Sequence, residues 1–244
     1  MSRGAVAVAM VLVITSCGPS ENNARIQVSA ASSLSDAFWD LELAYEDAHP
    51  EIDVVLNLAG SSLLREQILA GAPIDVFASA SVEIMNQVDE AGLVTGEIDL
   101  FATNDIQIAV PTGNPANVFG LEDFERDDLY LGLCAVEVPC GYLASKTFEL
   151  ADVNPRPDTN EPNVRALLTK IEAGELDAGI VYATDVMAAN VDGIAIPDEF
   201  VSSASYPVAR IVDSPNPAGG AEFLSFLFTD EALRILSSHG FQRP

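Results

Sequence analysis

Basic residues and histidine are scarce in this chain of 244 residues. It has 37 Asp and Glu against 11 Lys and Arg, which gives a formal net charge of −26 at pH 7. A chain this acidic has no basic surface to neutralise phosphates, and an anionic membrane surface repels it, which argues against nucleic acid or bare lipid as a partner. His49 and His239 are its only histidines, too few for a histidine-based metal site or catalytic triad.

Long hydrophobic runs are also lacking, apart from one short run near the N-terminus. Residues 4–14 are small and apolar and follow Arg3, as in the hydrophobic region of a secretory signal. Eleven residues are too few to span a hydrocarbon core of about 30 Å as a helix. The segment Ile14-Thr-Ser-Cys17-Gly resembles a bacterial lipobox, in which Cys17 becomes the lipidated first residue.

We therefore predict a signal peptide over residues 1–16 and a lipid anchor with a polar tether over residues 17–25. An ordinary cleaved signal with an incidental Cys17 is the alternative. Either way the mature chain is expected outside the cytoplasm, in the periplasm or at the cell surface, touching the membrane only through lipid.

The chain has three cysteines, and the remaining two, Cys134 and Cys140, are close in sequence. An oxidising compartment favours a local disulfide between them. A zinc site needs four ligands, and no further Cys or His pair completes such a set. A reactive thiol leaves its neighbour unexplained. We predict the disulfide, with metal binding and a reactive thiol as the alternatives.

The composition is that of a protein with a packed core, since 49% of residues are hydrophobic and the mean hydropathy is +0.24. Strand and helix patterns alternate, which predicts an α/β fold with largely parallel strands. The length fits two lobes. We expect one lobe over residues 26–105 plus 208–244 and the other over residues 106–207, with residues 106–110 and 206–212 as crossover strands. Val164, Leu167, Leu168 and Ile171 form a helical stripe, Ser81 is a candidate helix N-cap, and residues 154–162 read as a loop.

Short polar segments recur where a strand ends and a helix begins. They are residues 30–36, 59–63, 138–141 and 161–164. First-turn N–H groups are unpaired and carry the positive end of the helix dipole, so converging helix starts can bind an anion without Lys or Arg. Ligands of α/β sheets collect at this edge. The alternative for each serine is a plain N-cap.

Six motifs in this order give a more specific indication. They are Val28-Ser-Ala-Ala-Ser-Ser-Leu34, Leu58-Ala-Gly-Ser-Ser-Leu63, Gln67-Ile-Leu-Ala-Gly-Ala-Pro-Ile-Asp-Val-Phe-Ala-Ser-Ala80, Val138-Pro-Cys-Gly141, Asn163-Val-Arg165 and Gly179-Ile-Val-Tyr182. Together they resemble the molybdate-binding proteins that supply ABC transporters. The resemblance implies a two-lobed periplasmic-binding-protein fold (the Venus-flytrap, type II) with the ligand cleft between the lobes. It also implies a monomeric protein with no enzymatic activity and no cofactor, molybdate or tungstate as the ligand, and an ABC permease as the partner.

The resemblance also assigns ligand contacts by position. They are the serines Ser33 and Ser61, the backbone amides of Cys140 and Val164, and the hydroxyl of Tyr182. These groups would bind the oxygens of the oxyanion, with no direct metal ligand. Ser32 and Ser62 leave the register of the serine contacts open by one residue. The family usually has Ala where this chain has Cys140, but a disulfide on the side chain need not disturb the amide.

Several alternatives remain. Tyr182 can instead be an aromatic residue packed at the end of a strand, its hydroxyl paired within the protein. Another oxyanion such as sulfate or thiosulfate, a small organic anion, or a sensor lipoprotein without transport function fits the same pattern. A secreted hydrolase would need a Gly-x-Ser-x-Gly motif, which is absent. Asp75 and Asp185 are expected to be caps rather than catalytic acids.

Overall fold

The computed structural model describes residues 24–244, so the predicted signal peptide, Cys17 and most of the tether lie outside the described residues. The strands are β1 (Ala24–Ala31), β2 (Ile52–Ala59), β3 (Val76–Ala78), β4 (Val94–Pro111), β5 (Leu131–Cys134), β6 (Thr159–Glu161), β7 (Ala178–Tyr182), β8 (Val191–Ile194) and β9 (Ser203–Ile211). The α-helices are α1 (Ser35–Ala48), α2 (Ser61–Leu69), α3 (Val82–Glu90), α4 (Pro139–Leu150), α5 (Val164–Glu172), α6 (Ala183–Ala188), α7 (Pro217–Phe226) and α8 (Asp230–Ser238). Short 3-10 turns span Ser32–Leu34 and Leu121–Glu125.

The strands pair in the order β2-β1-β3-β9-β4-β7-β5-β6, with β8 also on β4. The pairs β1–β2, β1–β3, β5–β6 and β5–β7 are parallel, as the alternating pattern predicts. The long strand β4 joins two sets: residues 94–105 pair with β9, and residues 106–111 pair with β7 and β8. We call β1, β2, β3 and β9 the first strand group and β5 to β8 the second strand group.

Local sequence signals account for most of the helices. The predicted stripe on α5 is confirmed, because Val164, Leu167, Leu168 and Ile171 are all buried. The predicted cap of α3 is also confirmed: the Oγ of Ser81 accepts a hydrogen bond of 3.3 Å from the Ile84 amide. These helices cover the sheet and place their N-termini at the ends of the parallel strands.

Edge-to-face aromatic contacts connect the two strand groups through the core. Tyr206 on β9 packs against Phe101 on β4, Tyr182 on β7 and Phe241 near the C-terminus, with ring centroids 6.3, 6.2 and 5.4 Å apart. Phe101 in turn packs against Phe38 on α1. Such pairs favour one relative orientation of the rings. The contacts fix Tyr182 and Tyr206 where the two groups meet.

The structure departs from the sequence prediction at several element boundaries. The crossover strand is much longer than the predicted residues 106–110, because its pairing with β9 is a non-local interaction. Strand β6 lies inside the segment 154–162 that was expected to be a loop. Helix α4 begins at Pro139, where the missing N–H of proline costs nothing because first-turn amides have no intrahelical acceptor.

Candidate functional site

The five residues that the sequence singles out come together around one cavity. Ser33 and Ser61 lie beside the first strand group, whereas Cys140, Val164 and Tyr182 lie beside the second. The space open to the centres of oxygen-sized atoms is about 10 Å³. That is close to the least volume that can hold one water molecule. So small a cavity favours a compact ligand over an extended organic molecule.

Helix starts surround the cavity from both sides. Ser61 is the first residue of α2, Val164 is the first of α5, and Cys140 is the second of α4. Ser33 lies in the 3-10 turn that leads into α1. In the described structure no side chain caps α2 or α4, so their first-turn amides remain available as donors. Unpaired amides and aligned helix dipoles together favour a bound anion.

The side chains of the two serines do not act as helix caps. The Oγ of Ser61 accepts a hydrogen bond of 3.0 Å from the Ala80 amide, which leaves the Ser61 proton free. The Oγ of Ser33 lies 3.0 Å from the Oη of Tyr206. Ser32 also lines the cavity. The Ser62 hydroxyl instead donates to the carbonyl oxygen of Glu137 at 2.6 Å.

Tyr182 ends β7 with its ring packed in the core, and the residue lines the cavity. The residue is 1% exposed, and within the described chain its Oη has no hydrogen-bond partner. Burial raises the pKa of Tyr182 well above its usual range, so the hydroxyl keeps its proton and acts as a donor. An unpaired buried hydroxyl costs about 1–3 kcal/mol. A ligand oxygen in the cavity would satisfy this donor.

Cys134 and Cys140 are joined by a disulfide, with their Cα atoms 5.8 Å apart. The bond ties the start of α4 to the end of β5, directly behind the cavity. The backbone packs tightly at Gly141, the residue after Cys140, where an added Cβ would lie 2.0 Å from the carbonyl oxygen of Ala135. Only glycine fits there. The sulfur bridge leaves the backbone amide of Cys140 in the first turn of α4.

Contacts next to the cavity connect the two strand groups. Arg165 on α5 forms an ion pair with Asp36 on α1, and its Nε donates to the carbonyl oxygen of Ser32 at 3.3 Å. A Cβ added to Gly60 would lie 2.9 Å from the carbonyl oxygen of Pro162, so the two backbones approach closely. The Ser62–Glu137 hydrogen bond also joins the two sides. Together these contacts hold the two strand groups close to each other beside the cavity.

Asp185 is a buried carboxylic acid behind the site. One of its oxygens accepts a hydrogen bond of 3.1 Å from the Tyr182 amide, and the other lies 3.7 Å from the Nε of Arg165. Burial raises the pKa of Asp185 to about 7, although Arg165 and the Tyr182 amide lower it. Asp75, the other candidate acid, accepts hydrogen bonds from the amides of Gln27 and Asn216. Both acids therefore serve as backbone caps, as the sequence predicts.

Sequence reasoning missed two polar residues behind the cavity, Tyr206 and Asn104. Both are buried, on β9 and β4, far from the site motifs in sequence. No local spacing marks them, because only the pairing of the crossover strands brings them to Ser33. Across residues 24–244 no three His, Cys, Asp or Glu side chains cluster as metal ligands would. In the same span no helix has both the length and the apolar character needed to cross a membrane.

Known proteins match the chain over nearly its whole described length. The family described as bacterial extracellular solute-binding protein matches residues 26–242. The molybdate-binding protein ModA of Mycobacterium tuberculosis is 31% identical over 256 residues, which cover 100% of this chain and 98% of the relative. The putative ABC transporter substrate-binding lipoprotein YvgL of Bacillus subtilis is 28% identical, over 91% of this chain and 88% of the relative.

The solved periplasmic molybdate-binding protein of Azotobacter vinelandii superposes with a TM-score of 0.80 at 17% identity, covering 90% of this chain and 99% of that protein. At this identity the likeness shows the fold alone. It confirms the predicted α/β, two-lobed periplasmic-binding-protein fold of type II. With the family match over residues 26–242, the chain belongs to the bacterial extracellular solute-binding proteins.

Proposed function

We propose that the chain captures molybdate outside the cytoplasm and delivers it to the permease of an ABC transporter. The observation that carries this proposal is the small cavity lined by serines and helix-start residues, together with the buried Tyr182 hydroxyl, which lacks a partner in the described chain. The 31% identity to a relative named as a molybdate-binding protein, over the full chain, supports the choice of ion.

The character of the lining favours a fully deprotonated oxyanion. Ser33, Ser61, Cys140, Val164 and Tyr182 are among the residues that line the cavity, and no Lys or Arg is. We assign the hydroxyls of Ser33, Ser61 and Tyr182 and the amides of Cys140 and Val164 as the donors. Because the net charge of −26 repels a dianion at long range, affinity has to come from short-range donors. Each hydrogen bond to a charged oxygen contributes about 1.5–3 kcal/mol. Molybdate and tungstate satisfy such donors, whereas hydrogenphosphate also needs an acceptor for its proton.

The proposal includes opening and closing of the two lobes around the ion. We assign residues 26–105 and 208–244 to one lobe and residues 106–207 to the other. The pairing of β4 supports this division, because its partner changes from β9 to β7 near residue 106. The Arg165–Asp36 ion pair then crosses between lobes and belongs to the closed state.

Lipid attachment at Cys17 completes the proposal. A relative named as a putative substrate-binding lipoprotein supports it. The protein would then be a monomer held at the outer face of the cytoplasmic membrane through lipid alone, binding and releasing its ligand without catalysis or a cofactor.

The proposal is tested by calorimetric titration of the processed chain, residues 17–244, with molybdate, tungstate, sulfate and phosphate in separate experiments. We expect molybdate and tungstate to bind one ion per chain, sulfate to bind at least tenfold more weakly, and phosphate to bind weakest of the four. Tighter binding of sulfate than of molybdate would favour the sulfate alternative. Absence of binding by all four ions would contradict the proposal and leave the sensor lipoprotein.

A further inference from the structure

We propose that Tyr206, supported by Asn104, is a positioning residue that fixes the direction of the Ser33 hydroxyl, so that Ser33 donates into the cavity. This inference rests on the proposed function, since it concerns how the site selects among oxyanions. It makes Tyr206 a determinant of specificity although it does not line the cavity.

The polar contacts behind Ser33 form a short row of hydrogen bonds. The Oη of Tyr206 lies 3.0 Å from the Oγ of Ser33. The side-chain amide nitrogen of Asn104 lies 2.8 Å from the Oγ1 of Thr184 and 3.5 Å from the Oη of Tyr206. Asn104 and Tyr206 are 1% and 0% exposed, so bulk solvent does not reach these groups. These hydrogen bonds join β4, β9, α6 and the turn before α1.

The chemistry of the donors sets the direction of each proton. An amide nitrogen only donates, so Asn104 gives a proton to the oxygen of Tyr206. Burial raises the pKa of Tyr206, so its hydroxyl stays protonated. Among the described residues the Oγ of Ser33 is the acceptor within reach of that proton, so we infer that Tyr206 donates it to Ser33. Within the described residues the Oγ of Ser33 has no other hydrogen-bond partner, so its own proton turns toward the cavity.

This direction matters for specificity. If Ser33 donated to Tyr206 instead, it would present a lone pair to the cavity and could accept the proton of hydrogenphosphate. The hydrogen bonds from Asn104 to Tyr206 and from Tyr206 to Ser33 disfavour donation by Ser33 to Tyr206. The Ala80 amide donates to the Oγ of Ser61 and so sets the direction of the Ser61 hydroxyl in the same way. Both serines therefore act as donors, and the proton of a protonated oxyanion is left without an acceptor.

The test is Tyr206→Phe, with the affinities for molybdate, sulfate and hydrogenphosphate measured by calorimetry at neutral pH. Without the tyrosine hydroxyl, Ser33 is free to turn either way. We expect molybdate and sulfate to bind about threefold to tenfold more weakly and phosphate to bind as before or more tightly. The ratio of molybdate to phosphate affinity then falls. An unchanged ratio would overturn the inference.

A double-mutant cycle separates positioning from general damage. In a Ser33→Ala background, Tyr206→Phe should no longer change the ratio, because there is no hydroxyl to orient. An equal change in both backgrounds would overturn the inference. Tyr45→Phe is the matched control: Tyr45 is a buried tyrosine that packs on Phe223 and Phe226 and does not line the cavity. It should leave all three affinities unchanged.

A second variant covers the case in which Tyr206→Phe does not fold, and the parent protein distinguishes failure of the inference from failure of the proposed function. Should Tyr206→Phe fail to fold, as judged by thermal unfolding, Asn104→Ala releases Tyr206 and is expected to lower the ratio in the same direction by a smaller factor. No change in the ratio for a folded Asn104→Ala would then refute the inference. If the parent protein binds molybdate but none of these substitutions changes the ratio of molybdate to phosphate affinity, the positioning role is refuted and the proposed function stands. If the parent binds no oxyanion, the proposed function fails with it.

Discussion

The buried hydroxyl of Tyr182 makes Tyr182→Phe a substitution with opposite effects on stability and binding. The Oη is buried without a partner in the described chain, and an unpaired buried hydroxyl costs about 1–3 kcal/mol. Removing it should leave the unliganded protein at least as stable as the parent. For a chain of this size, each 1 kcal/mol gained raises the melting temperature by about 2–4 °C.

Binding should change in the other direction. A hydrogen bond from Tyr182 to a charged ligand oxygen contributes about 1.5–3 kcal/mol, and a factor of ten in affinity corresponds to about 1.4 kcal/mol. We therefore expect molybdate affinity to fall by about tenfold to somewhat over a hundredfold. Thermal unfolding with and without molybdate measures both effects in one assay: the unliganded melting temperature holds or rises, and the shift caused by molybdate shrinks.

Tyr45→Phe again serves as the control, because the Oη of Tyr45 is also buried and unpartnered within residues 24–244. Tyr45→Phe should change the unliganded melting temperature as Tyr182→Phe does, but it should leave the increase in melting temperature caused by molybdate as large as in the parent. The reasoning is refuted if Tyr182→Phe binds molybdate as tightly as the parent. A clear drop in the unliganded melting temperature would show that the hydroxyl has a partner within the protein.

Three further predictions concern stability and processing. Burial raises the pKa of Asp185 to about 7 despite the nearby Arg165, so the folded state favours the neutral acid. The free energy of unfolding should therefore fall as pH rises from about 4 to about 7, and Asp185→Asn should flatten this part of the curve. A variant with the same pH dependence as the parent would contradict the prediction. Thiol labelling of the denatured, unreduced chain without Cys17 should find no free thiol, since Cys134 and Cys140 are bonded and the small loop contributes about 2 kcal/mol; two labelled thiols per chain would rule out the bond. Cys17→Ala should release the protein from the membrane fraction, and full retention of that variant there would argue against lipidation.

The sequence predicts those features of the site that depend on local signals. Each of Ser33, Ser61, Cys140 and Val164 lies where a strand gives way to a helix, and such junctions are visible from turn residues and hydrophobic periodicity. Because parallel strands present these junctions at one edge of the sheet, the residues meet around one cavity. Their role in binding remains a prediction.

Non-local features of the site could not be read from the sequence. The extension of β4 back to Val94 follows from its pairing with β9, more than a hundred residues later in the chain. Tyr206 and Asn104 reach Ser33 only through that pairing. The ion pair of Arg165 with Asp36 likewise depends on how closely the two strand groups approach. Such contacts carry no spacing pattern that one sequence reveals.

The size of the cavity has a consequence for hydration. With about 10 Å³ for atom centres, an ion enclosed there leaves its shell of water outside. The cost of removing that shell increases as an ion of given charge becomes smaller, because charge concentrated in a smaller sphere polarises water more strongly. Sulfate, the smaller dianion, therefore gives up more solvation than molybdate in exchange for the same hydroxyls and amides. Enclosure itself thus favours the larger oxyanion, even where the charges and the number of oxygens are equal.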